Sequence, residues 1–77
     1  PKALNNWTFK QVTSFLKEHN FVIHRTKGSH FHYKKLGKDK NYLVSVPYHG
    51  NKSIPNGTMN SLVRQSGIEK EKWAKRD

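Results

Sequence analysis

Lys27-Gly28-Ser29-His30-Phe31-His32-Tyr33 is the stretch on which the fold of this chain turns. Histidines alternate with aromatic residues, and alternation is the signature of a strand, where residues i and i+2 share a face. His30 and His32 therefore share one face, ~6.6 Å apart along the strand, with Lys34 continuing their row. Phe31 and Tyr33 point the other way. Gly28 permits close approach of the backbone to a ligand, and Ser29 brings a hydroxyl that can donate to a phosphate oxygen. Two imidazoles and an ammonium on one surface suit proton exchange with a phosphate-bearing substrate.

The flanking sequence reads as a frame for that strand. Residues 21–25, Phe-Val-Ile-His-Arg, are β-branched and aromatic and predict a preceding strand. Residues 27–29 turn the chain, and the second strand is expected over 30–35. A charged tip at 36–41 leads to a third strand over 42–46, which Pro47 ends because it cannot donate to a ladder. Short connections make the three an antiparallel meander. Upstream, Thr8 and Gln11 form a capping-box pattern, and Phe9, Val12, Phe15 and Leu16 recur at helical spacing, so a helix is predicted over residues 8–19. Asn20 is the expected left-handed stop. Downstream, residues 48–57 read as loop, Thr58 as the cap of a second helix with Met59, Leu62 and Val63 on its buried face, and Gly67 as its stop. Ile68 is expected to fold back as the hydrophobic contact that closes it. Trp73 predicts a short third helix or ordered turn in a charged tail, with fraying after Ala74.

The expected class is α+β, in the order α-β-β-β-α with a possible short C-terminal helix, the layout of the double-stranded-RNA-binding domain. One domain over residues 1–77 is expected, with a loose leader at 1–6 and a charged tail at 69–77. At this length folding buries only roughly 60% of the unfolded chain's surface. The sequence contains no cysteine, so neither a disulfide framework nor a thiolate metal site is available. No apolar run approaches the ~18 residues of a membrane span, and no signal peptide is visible. A cytoplasmic setting is the expectation.

Charge narrows the class further. Fifteen Lys and Arg stand against five Asp and Glu, for a formal +10 and a pI near 10.2. A domain this small and basic suits a polyanion. No long basic amphipathic helix suggests a lipid surface, which leaves nucleic acid.

Several residues have two readings on chemistry alone. His32 is either a second proton carrier or a positive, stackable neighbour. His49, Asn51 and Lys52 form a loop able to hold a phosphate, or a turn shaped by its Gly and Asn. Gly57-Thr58 is either an anion-binding helix start or simple capping. His19 and His24 are read as incidental, and Arg64 and Gln65 as solvated. Paired histidines without thiolates or clustered carboxylates give too few ligands for zinc, so no metal or cofactor is expected.

Taken together, Lys27-Gly28-Ser29-His30, then Val46-Pro47-Tyr48-His49-Gly50-Asn51-Lys52-Ser53-Ile54-Pro55-Asn56-Gly57-Thr58, then Leu62-Val63-Arg64-Gln65-Ser66-Gly67-Ile68 resemble the HicA toxin family, over about residues 9–68. The resemblance implies a small mRNA interferase of a type II toxin–antitoxin module, with a double-stranded-RNA-binding-like fold and HicB as antitoxin. The family's single catalytic histidine, in its Gly-Ser-His motif, falls on His30. Several members carry another histidine directly after it, where this chain has Phe31, with His32 one position further. The usual glycine closing the first helix is Asn20 here, and the Lys38-Asp39-Lys40 tip also departs from the common pattern.

The expected activity is a metal-independent endoribonuclease. His30 removes the proton of a ribose 2′-hydroxyl, a task suited to imidazole, whose ordinary pKa is about 6.5. Lys27 and Lys34 stabilise charge on the phosphoryl oxygens. The expected RNA-binding set is Lys27, Gly28, Lys34, His49, Asn51 and Lys52, with His32 and Ser29 as auxiliaries. The alternative from another class is a non-catalytic RNA-binding module of the same fold. A DNA-binding protein fits less well, since no helix has a conspicuously basic exposed face.

Overall fold

The computed structural model describes residues 4–75. Helix α1 (Phe9–Glu18) is followed by strands β1 (Val22–Lys27), β2 (His30–Leu36) and β3 (Asn41–Pro47), then helices α2 (Asn56–Ser66) and α3 (Lys70–Ala74). The strands form one antiparallel sheet in the order β1-β2-β3. This is the expected α+β arrangement, short C-terminal helix included.

Both ends of α1 form as their residues dictate. The Thr8 hydroxyl accepts from the Gln11 amide, and the Gln11 side chain accepts from the Thr8 amide, completing the capping box. At the other end Asn20 takes the left-handed conformation at φ 71°. The amides of Asn20 and Phe21 then turn back to the carbonyls of Lys17 and Leu16, the paired closure of a Schellman motif. Leu16 and Phe21, both buried, supply its hydrophobic contact. Phe21 therefore belongs to the helix closure, and β1 begins one residue later than the sequence suggests.

The turn between β1 and β2 is two residues long, since Lys27 pairs with His30. Gly28 has φ 59° while Ser29 is not left-handed, the pattern of a type II′ hairpin with glycine first. A Cβ at residue 28 would meet nothing within 4 Å, so conformation and not crowding calls for glycine there.

The core gathers Val12, Phe15 and Leu16 of α1, Tyr33 of β2, Val44 and Val46 of β3, Met59, Leu62 and Val63 of α2, and Trp73 of α3. Trp73 is fully buried, packed on Phe15 at 4.1 Å and Trp7 at 5.2 Å between ring centroids. A five-residue helix cannot hold itself in water, so this indole is what fixes α3. Leu4 is also buried, although residues 1–6 read as a loose leader; of that leader, residues 1–3 lie outside the described residues. Of the fraying tail, residues 76–77 lie outside them too.

One expectation is corrected. Thr58 does not cap α2: the helix starts at Asn56 with Pro55 as its N-cap, at φ −56° and ψ 147°, and no side chain caps it. The proline ring sets φ and holds the residue before the helix extended, so the chain enters the helix three residues early. Gly57 and Thr58 are thus inside the first turn. Every residue of β1 is exposed, including Val22 and Ile23. The helices lie over β3 and β2, and the core stops short of this edge.

Candidate active site

The two faces of the sheet separate by chemistry. Cα partners across the strands share a face, so the register fixes both sets. Against the helices stand Phe31 with Val46 and Tyr33 with Val44. The open face carries three rows that span all the strands: Lys27, His30 and Pro47; Arg25, His32 and Ser45; and Val22, Lys34 and Leu43. A bulge in β1 between Ile23 and Arg25 leaves His24 out of the pairing and brings Arg25 opposite His32. Without that extra residue the row across from His32 would hold a different side chain.

Lys27, Gly28, Ser29, His30 and His32 line one shallow depression together with Ser45. His30 opens β2 and is exposed; His32 is half-buried. The His32 Nδ1 lies 2.7 Å from the Ser45 hydroxyl, which fixes the imidazole plane and leaves Nε2 for a ligand. The Ser45 amide in turn donates to Gln65 Oε1 at 3.0 Å. Gln65, read as solvated from sequence, thus spans from α2 to the outer edge of β3 and satisfies a donor that an edge strand leaves unpaired.

The remaining expected site residues are spread more widely. Lys34 lies two rows beyond His30 and lines a separate hollow with Asn20, Val22, Lys35 and Leu36. His49, Asn51 and Lys52 are exposed on the β3–α2 loop. That loop is tied at both ends: the Tyr48 amide donates to the Ser29 carbonyl at 2.8 Å, and the Ile54 amide to the Trp7 carbonyl at 2.7 Å. Its start therefore abuts the Gly28-Ser29 turn. Ser45 is the participant that sequence reading missed; in the run Tyr42-Leu43-Val44-Ser45-Val46 it is the one aliphatic hydroxyl, on the face opposite the buried valines. His19 is accounted for by α1, where its Nδ1 meets the Phe15 carbonyl at 2.9 Å.

Among the described residues no group of three or more His, Cys, Asp or Glu is arranged to hold a metal ion. Among them, too, no helix is long and apolar enough to cross a membrane.

A three-stranded sheet backed by helices, with a histidine-bearing depression on its open face and a net charge of +10, defines a small basic α+β domain suited to a polyanion. A comparison with protein families matches residues 9–68 to the HicA toxin of bacterial toxin–antitoxin systems. The match covers most of the chain, which therefore belongs to that family and is the toxin half of such a system, with an antitoxin as its partner. A comparison with curated proteins returned no match.

Proposed function

We propose that this chain is an endoribonuclease, an mRNA interferase that cleaves RNA by attack of the substrate's own 2′-hydroxyl. The observation that carries the proposal is the depression shared by Lys27, Gly28, Ser29, His30, His32 and Ser45 in a chain of this family. His30 takes the 2′-hydroxyl proton, the oxygen attacks phosphorus, and the bond to the 5′-oxygen breaks. His32, its ring set by Ser45, returns a proton to that leaving oxygen. Lys27, opposite His30, and the Ser29 hydroxyl meet the phosphoryl oxygens, whose charge grows in the transition state. Lys34, His49, Asn51 and Lys52 hold the RNA on either side, and the backbone at Gly28 lets it approach.

The antitoxin is proposed to be a HicB-like protein that covers the open face around His30. A net acidic binding surface would complement the +10 charge of the toxin and speed association. A basic RNA-binding module without catalysis would need only lysine or arginine where His30, His32 and Ser45 converge, and that convergence favours the enzyme.

The test is cleavage of a single-stranded RNA in excess EDTA, with mapping of the product ends. A 2′,3′-cyclic phosphate or its hydrolysed form and a 5′-hydroxyl are expected, and a 2′-deoxy sugar at the scissile position should block the cut. Efficient cleavage at that deoxy position would exclude the mechanism.

A further inference from the structure

Tyr48 is the large aromatic residue that the fold leaves half in solvent, 53% exposed, beside the proposed catalytic histidine. Its position is set by backbone and by packing. His30 pairs with Pro47, and the Tyr48 amide donates to the Ser29 carbonyl, so Tyr48 stands one rung past His30 at the end of the sheet. Alternation turns its side chain to the helix side, where it meets Phe9 with ring centroids 5.0 Å apart and planes at 88°. Phe31 lies 6.3 Å away and itself packs edge-on against Phe9. Three aromatic rings thus brace one another at the rim, and the outermost keeps more than half its surface open. An exposed phenol fixed in this way has lost its rotational freedom before any ligand arrives, which is what a stacking platform requires.

We propose that Tyr48 is a nucleobase-binding subsite, stacking on the base next to the scissile phosphate of a single-stranded RNA. This rests on the RNA-cleaving function proposed above. The phosphate sits on the open face at His30 and the neighbouring base rounds the sheet end onto Tyr48. Splaying the base out in this way pulls the nucleotide from the helical stack, where the 2′-oxygen is badly aligned with the leaving 5′-oxygen. Single-stranded RNA is commonly held by such base–aromatic contacts, which tolerate any base because each has a π-face. A paired duplex keeps its bases stacked inside and cannot use the platform.

The test uses short single-stranded RNAs made uncleavable by a 2′-deoxy sugar at the cut site, carrying 2-aminopurine at successive positions. Wild type and Tyr48→Phe should quench the fluorophore at one position beside the cut. Tyr48→Ala should lose that quench and bind about 10-fold or more weakly, as stacking contacts of this kind do, with an unchanged slope of affinity against salt. Tyr48 is half exposed and its hydrogen bond is made by the backbone, so circular dichroism should match wild type. Unchanged quenching and affinity in Tyr48→Ala would overturn the subsite, as would a loss confined to antitoxin binding. If wild type binds the RNA and cleaves its all-ribose counterpart, that negative result tells against Tyr48 alone. If wild type neither binds nor cleaves RNA, the function itself fails.

Discussion

His32 Nδ1 and the Ser45 hydroxyl meet at 2.7 Å across the β2–β3 ladder, and Ser45 is itself held to α2 through its amide and Gln65. The second histidine of the alternating strand is therefore oriented from outside its own strand. A ring held by one nitrogen presents the other in a fixed direction, which free rotation of a surface histidine would not allow.

If His32 protonates the leaving oxygen, His32→Ala should slow cleavage by about 10²-fold or more, yet less than loss of His30. Ser45→Ala should give a smaller loss in the same direction. The double variant should resemble His32→Ala alone, because Ser45 acts through the imidazole. Single-turnover rates on one RNA measure all three, and additive losses would show that Ser45 acts independently.

The end of α2 makes a second prediction. Gly67 is left-handed at φ 70°, and a Cβ there would run into the ring of Tyr42 on β3. Gly67→Ala combines backbone strain with a collision and should cost at least about 2 kcal/mol. Urea unfolding should show a lower midpoint at unchanged slope. A loss under about 0.5 kcal/mol would mean that Tyr42 yields freely.

Tyr33 supplies a pH dependence of stability. Burial pushes its phenol above the ordinary value of 10.0, with Thr13 partly opposing. The unfolded chain thus ionises this group first. The contribution of Tyr33 is fully present below the unfolded value and is lost as pH rises through the folded one. Wild type should lose stability relative to Tyr33→Phe as pH rises above about 10. Parallel curves for the two proteins across that range would contradict the burial effect.

Most of the fold was legible because its determinants are local. Thr8 and Gln11 cap, Asn20 and Gly67 stop, and the alternation in β2 needs only neighbouring residues. The start of α2 was misread because Thr58 is a good cap by type, while Pro55, three residues earlier in the loop, imposes the geometry. The exposure of β1 was not legible: Val22 and Ile23 look like core residues, and only the placement of the helices over β2 and β3 leaves them out. In the candidate site, the shared face of His30 and His32 followed from period two alone. The roles of Ser45 and Gln65 did not, because they depend on strand register and on where α2 lies along β3, and both are long-range. Lys34 reads as part of the same row in sequence, but the sheet places it by a different hollow.

The most direct measurement of the central claim is RNA cleavage by purified His30→Ala beside wild type, with circular dichroism and thermal unfolding on both. His30 is exposed at the start of β2, so its removal should leave the fold intact. The predicted result is a folded variant with no detectable cleavage. A folded variant, free of contaminating nuclease, that cuts RNA at the wild-type rate would contradict the assignment of His30 as the catalytic base.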